Sequence, residues 1–123
     1  MIKLEQFTLA RQIDVVFRKI KDELSHVNSG TVFVHIRNNE IGKFGIKHLP
    51  FESSEGVLPA PSNVGLTEIQ FQTFRQMAIE SLKRKKSWTH GEIMFDFTVR
   101  KNVISISIMF ESNYMLSVQS LYL

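Results

Sequence analysis

The stretch from Glu92 to Glu111 restricts the fold more than any other part of the chain. Ile93, Phe95, Phe97 and Val99 alternate with Glu92, Met94, Asp96, Thr98 and Arg100, and Ile104, Ile106, Ile108 and Phe110 alternate with Val103, Ser105, Ser107 and Met109. A period of two gives a strand one apolar and one wetter face. Folding the chain about Lys101-Asn102 sets Val99 against Ile104, Phe97 against Ile106, Phe95 against Ile108 and Ile93 against Phe110. A slip of one residue would turn one strand's apolar face to water, so the pattern predicts both the hairpin and its register. Asn102 tolerates positive φ, and Lys101 tolerates it less well. The hairpin's apolar face demands that the rest of the chain cover it.

The covering elements are predicted on either side. Leu4 to Val27 reads as a helix, because Ile13, Val16, Phe17, Ile20, Leu24 and Val27 recur at three- and four-residue steps. Asn28-Ser29-Gly30 reads as its stop, with Gly30 as a left-handed cap. A weaker hairpin follows, from Thr31 to Arg37 and from about Ile41 to His48, joined by a turn at Asn38-Asn39-Glu40. Gly42 and Gly45 mark a bulge or a close approach in its second strand. Residues 50 to 65 hold all three prolines and read as a long loop. Leu66 to about Lys86 reads as a second helix, with Thr67 and Gln70 at capping-box spacing and Phe71, Phe74, Met77, Ala78 and Leu82 as its buried stripe. The tail is uncharged from Ser112 to Leu123 and is expected to pack on the domain or on a partner.

The order helix, hairpin, helix, hairpin predicts an α+β two-layer sandwich, a four-stranded, mostly antiparallel sheet with two helices on one face. An αββ unit occurs twice as topology, without a sequence repeat. The 123 residues suffice for one domain with one core, so residues 1–123 read as a single α+β domain with 111–123 as an apolar C-terminal tail. Hydrophobic residues at 43% and charged residues at 22% are globular usage, and ten Phe residues promise an aromatic core.

Composition also narrows function. With no Cys, disulfides, thiol catalysis and thiolate metal sites are excluded. No signal-type apolar core follows Met1 and no run has bilayer-spanning length, so a cytoplasmic location and no membrane partner are expected. The net charge is +3, but Lys83, Arg84, Lys85 and Lys86 supply four positive charges in a row, so the rest of the chain sums to −1. None of the four His has a partner at zinc-helix spacing, Glu52 and Glu55 read as solvated loop acids, and there is no Gly-rich phosphate loop. No catalytic residue, metal ligand or cofactor is expected, and the chain reads as a non-enzymatic binding protein.

Two surfaces qualify for binding. A protein partner would meet the outer sheet face through Phe33, His35, Met94 and Asp96, together with the Pro-rich loop and the tail at Asn113 and Tyr114. The alternative is a nucleic-acid module in which Arg75, Lys83, Arg84, Lys85 and Lys86 touch phosphates and Trp88 stacks on a base. Against it stands a plainer reading, cations at the negative end of a helix and a half-buried Trp. A homodimer through the apolar tail is a third reading.

The helix–hairpin–helix–hairpin order, with Ser87-Trp88-Thr89 after the second helix, resembles the YezG-type antitoxin or immunity family of small bacterial proteins over roughly Ile13 to Phe110. The resemblance implies binding and neutralisation of a toxin domain without catalysis. It assigns no site residue.

Overall fold

A computed structural model of the chain describes residues 7–61 and 64–122 and holds two α-helices and one four-stranded antiparallel sheet. Thr8 caps α1 (Leu9–Leu24), its hydroxyl accepting from the Arg11 amide at 3.2 Å. The residues Leu4 to Gln6, predicted to begin this helix, lie outside the described residues. Ile13, Val16, Phe17, Ile20 and Leu24 are buried as the spacing predicts. The helix stops at Ser25 rather than Val27, with the Ser25 amide bonded back to the carbonyls of Lys21 and Asp22. Gly30 is therefore not its cap. It belongs to β1 (Ser29–Arg37), where it pairs with His48 of β2 (Glu40–His48).

Each hairpin closes on a two-residue turn with both φ positive. Asn38 and Asn39 have φ of 50° and 61°, and Lys101 and Asn102 have 51° and 67°. This handedness suits the right-handed twist of paired strands. The register of β3 (His90–Arg100) with β4 (Val103–Ser112) is the one that the alternation predicts, from Val99 against Ile104 to Ile93 against Phe110. In the first hairpin the register shifts between Val34 and Ile36, so that Gly42 and Lys43 together face His35. That is the bulge that the glycines announced.

Between the hairpins, α2 (Glu68–Ser81) opens with a complete capping box. The Thr67 hydroxyl accepts from the Gln70 amide at 3.2 Å, and the Gln70 carboxamide oxygen accepts from the Thr67 amide at 2.9 Å. The α-helix ends at Ser81, and a 3-10 turn over Leu82–Arg84 follows. The basic run from Lys83 to Lys86, expected within the last turn of this helix, instead lies beyond the last α-helical turn. Phe71, Phe74, Ala78 and Leu82 are buried as predicted, whereas Met77 is exposed, because it faces the edge strand β4 instead of the centre of the sheet.

The core forms where the alternate residues of the central strands meet the helices. Phe17 of α1 lies edge-on to Phe74 of α2, with ring centroids 5.0 Å apart, and edge-on to Phe95 of β3 at 6.0 Å; Phe74 reaches Phe97 at 4.9 Å. Burying one such ring contributes about 1.5–3 kcal/mol. Strand order β2-β1-β3-β4 makes β2 and β4 the edges.

The two αββ halves relate to each other across the β1–β3 pairing. The sequence offset that takes Asn39 to Asn102 also takes Val32 to Phe95, and Val32 and Phe95 are partners in the middle of that pairing. Each half carries a buried glutamine near the start of its helix, which ties the helix to the turn of its own hairpin. The Gln12 side-chain Nε2 donates to the Asn39 carbonyl at 3.0 Å, and the Gln70 side-chain Nε2 donates to the Asn102 carbonyl at 3.2 Å. Buried polar side chains of this kind must be satisfied, and here the satisfaction fixes how each helix sits over its hairpin.

Candidate functional site

On the outer sheet face, Phe33, His35, Met94 and Asp96 come together as predicted, but Phe33, His35 and Asp96 are engaged by other side chains of that face. Cross-strand partners pair in rows. Thr31 donates to Asp96, His35 lies 3.2 Å from Glu92, and the Ser29 and Thr98 hydroxyls share a hydrogen bond of 2.7 Å. Phe33 is only 9% exposed although it points away from the helices. It lies over Gly45, where a Cβ would come within 3.1 Å of its ring, and the ammonium groups of Lys47 and Lys43 stand over it at 5.4 and 6.0 Å. The lysine stems cover the ring while their charges stay in water. Phe33 is thus a covered aromatic rather than an open anchor. His35 and Asp96 are solvent-exposed, and Met94 is half-buried.

The residues of the basic alternative do not assemble around an open aromatic. Trp88 is 1% exposed, so its ring has no free face for a base. It packs edge-on against Phe110 at 5.4 Å, Gly91 leaves the space that its ring fills, and the Lys85 ammonium sits over it at 5.1 Å. The Arg75 guanidinium is held by Asp14 of α1, which also pairs with Arg18 at 2.8 Å. Lys83 pairs with Glu80 at 3.0 Å, and Arg84 lines a groove with Met77 and Ile106. Lys86 is exposed. A sequence signal for the buried tryptophan existed in Gly91, three residues on, but it becomes readable only once the strand register is known.

The exposed apolar side chains concentrate elsewhere. Leu49, Phe51, Val57, Leu58 and Val64 project from the loop, which contains a tight turn with Ser54 and Val57 bonded both ways at 2.8 and 3.0 Å. The loop borders an open cleft of about 710 Å³ between its prolines and the end of α1, with His26, Val27 and His48 on the far wall. In the tail, the Asn113 amide still reaches the His90 carbonyl at 2.9 Å. Beyond it Tyr114 is 87% and Met115 90% exposed, and Leu116, Val118, Leu121 and Tyr122 are exposed too. The tail makes a 3-10 turn over Val118–Tyr122 with no buried residue. The expectation that it packs on its own domain does not hold over the described residues. Its pattern lacks the period-two or helical stripe that would give it a face to bury.

Among the described residues no group of three or more His, Asp or Glu stands close enough to hold a metal ion, and no helix is long and apolar enough to cross a membrane. The Glu68 carboxyl, hydrogen-bonded by the Lys21 ammonium at 3.0 Å and by Gln72, is held below the ordinary carboxylate range. It belongs to a surface tie between α1 and α2 and lines neither the loop cleft nor the groove beside Met77. Compared with family models, with curated proteins and with solved structures, the chain gives no match.

Proposed function

We propose that this is a non-enzymatic binding protein that acts by covering a surface of a protein partner, with the loop at Leu49–Val64 and the tail from Asn113 onward as the contact segments. The observation that carries this reading is the placement of apolar side chains. Most of the large ones left in water lie in these two segments, while the outer face of β1 and β3 pairs polar groups across the strands and Phe33 is covered. Exposed apolar clusters on loops are where soluble proteins meet other proteins. Phe51, Leu58 and Tyr114 are the expected anchors, since a few large side chains carry most of the affinity in such contacts. His35, Met94 and Asp96 extend the contact on the neighbouring face. The arrangement assumed is the two-layer one, with both helices against one face of the sheet. An immunity or antitoxin role, with a toxin domain as the partner, is the specific form of this reading suggested by the resemblance of element order.

Affinity capture from the native host, with nuclease treatment and a salt series, tests it. A stoichiometric protein is expected to co-elute with the wild-type chain. It is expected to be lost from Phe51→Ser, Leu58→Ser and from a chain truncated after Asn113, provided that each variant keeps its cooperative unfolding transition. Retention of the partner by all of these, or recovery only of nucleic acid that disappears with salt, would reject the reading.

A further inference from the structure

We propose that β4 is a self-pairing strand, and that a second copy of the chain adds antiparallel to its free edge across a two-fold axis at Ser107. Edge strands present unpaired N–H and C=O groups, and soluble proteins blunt them with lysine, proline, bulges or short length. Over Val103–Ser112 none of these devices is present. The strand has ten residues, its pairing with β3 has no register shift, and Glu111 is its single charge.

Which backbone groups are free follows from the turn. Closing Lys101-Asn102 with an i to i+3 bond makes Arg100 and Val103 a hydrogen-bonded pair, and the ladder alternates from there. Ile104, Ile106, Ile108 and Phe110 therefore direct their N–H and C=O groups outward along the edge. These same residues carry the apolar, half-buried face of the strand. A second β4 must meet them with its own even-numbered residues to satisfy the hydrogen bonds, and also to keep apolar against apolar. One set of registers meets both demands. The member centred on Ser107 pairs Ile106 with Ile108, Ile104 with Phe110, Ser105 with Met109 and Val103 with Glu111, so that nearly the whole strand is used.

Charge favours the same register. The antiparallel arrangement brings Glu111, at one end of the strand, to the partner's hairpin end, where Arg100 and Lys101 stand. Glu111, Arg100 and Lys101 are all exposed, and none has an ion-pair partner among the described residues. Arg100 shares the face of Val103 and lies one strand, about 4.8 Å, further in, within the span of an arginine side chain. On the apolar face, the groove lined by Met77, Ile106, Ile108 and Phe110 would continue into its copy. Pairing β2 with β4 instead would be head-to-tail and would give a ring or an open chain rather than a two-fold dimer.

The dimer would also join the two contact segments, a consequence that rests on the function proposed above. Within one copy the loop leaves the sheet where Gly30 pairs with His48, and the tail leaves where Gly91 pairs with Ser112, at the opposite end. Antiparallel pairing places the tail of each copy at the end from which the partner's loop departs.

The chain has no cysteine, so one introduced thiol reports on register. Ser107→Cys is expected to give a disulfide-linked dimer on mild oxidation, because the two thiols face each other across the axis in a closely spaced pair. Ser105→Cys, which would face Met109, is expected to remain uncrosslinked. Light scattering should give a dimer mass for the unmodified chain. Glu111→Lys should weaken association roughly tenfold, since the pair occurs twice about the axis, and adding Arg100→Glu with Lys101→Glu should restore it. A monomeric mass up to about 200 μM, a mass that keeps growing beyond a dimer, or equal crosslinking at both positions would overturn the proposal; the range is that of weak self-association. The outcome is independent of the function test. A chain that dimerises normally but whose loop and tail variants keep their partner would reject the binding reading and leave β4 pairing intact.

Discussion

The two edges of the sheet hold equivalent places in the two halves of the molecule, yet they are built in opposite ways. β2 carries Gly42, Gly45, a bulge opposite His35 and two lysines, Lys43 and Lys47, whose stems close over Phe33. β4 carries no glycine, no lysine and no bulge. The contrast is clearest at one position. Gly45 pairs with Phe33, and in the other half Ser107 pairs with Asp96. An aromatic ring on the outer face requires an empty Cβ opposite it and long cations over it, and these same features blunt the edge. Where the partner residue is an aspartate, neither is needed, and the edge is left regular. Covering one side chain and guarding one edge are thus one device in β2, and β4 lacks it.

The largest expected effect separates the edges directly. Gly45→Val places a branched side chain against the Phe33 ring, whose nearest carbon already lies 3.1 Å from an added Cβ, and should destabilise folding by about 1–3 kcal/mol. Ser107→Val, at the equivalent place on β4, should change folding stability by less than about 0.5 kcal/mol, since the site is exposed and suits a β-branched residue. Chemical denaturation of both variants checks this; equal costs would show that the edges do not differ in the way described. Next in size is the removal of the cover. Lys43→Ser with Lys47→Ser should cost about 1 kcal/mol, from two exposed cation–ring contacts, and should increase binding of an apolar dye at the uncovered Phe33. Unchanged dye binding would mean that the stems do not shield the ring.

The smallest effect lies off the sheet and serves as the reference for a plain surface charge. The Lys21 hydrogen bond lowers the Glu68 pKa. A carboxylate with a lowered folded pKa contributes stability that is present above its ordinary value and is lost as pH falls through the lowered one. Glu68→Gln should therefore be slightly less stable than wild type near neutral pH, and the difference should vanish at the acid end of a denaturation series. A difference that grew on acidification would contradict the sign.

Local pattern accounts for much of what the fold contains. The β3–β4 register was legible because every shift by one residue exposes four apolar side chains, and the Thr67–Gln70 capping box because its two hydrogen bonds join residues three apart. The candidate sites were less legible. Trp88 beside four cations reads locally as a stacking platform, but Gly91 leaves room for its ring and Phe110 packs on it from β4, a strand brought there only by pairing with β3. Phe33 reads as an outer-face anchor, and is covered by lysines ten and fourteen residues further on, brought across by the β1–β2 hairpin. The buried roles of Gln12 and Gln70 carried no hydrophobic signal at all, because what satisfies them is the carbonyl of a distant turn.

Alternation, turn residues and caps act within a few residues of one another, and so the chain alone dictated its elements, the pairing within each hairpin and the apolar faces that had to be covered. Strand order, the burial of Trp88 and Phe33, the exposure of Met77 and the tail, and the bare edge of β4 depended on which elements came to lie side by side. Those outcomes are set by surfaces meeting across the sheet, and no local periodicity encodes the neighbour that a surface will meet.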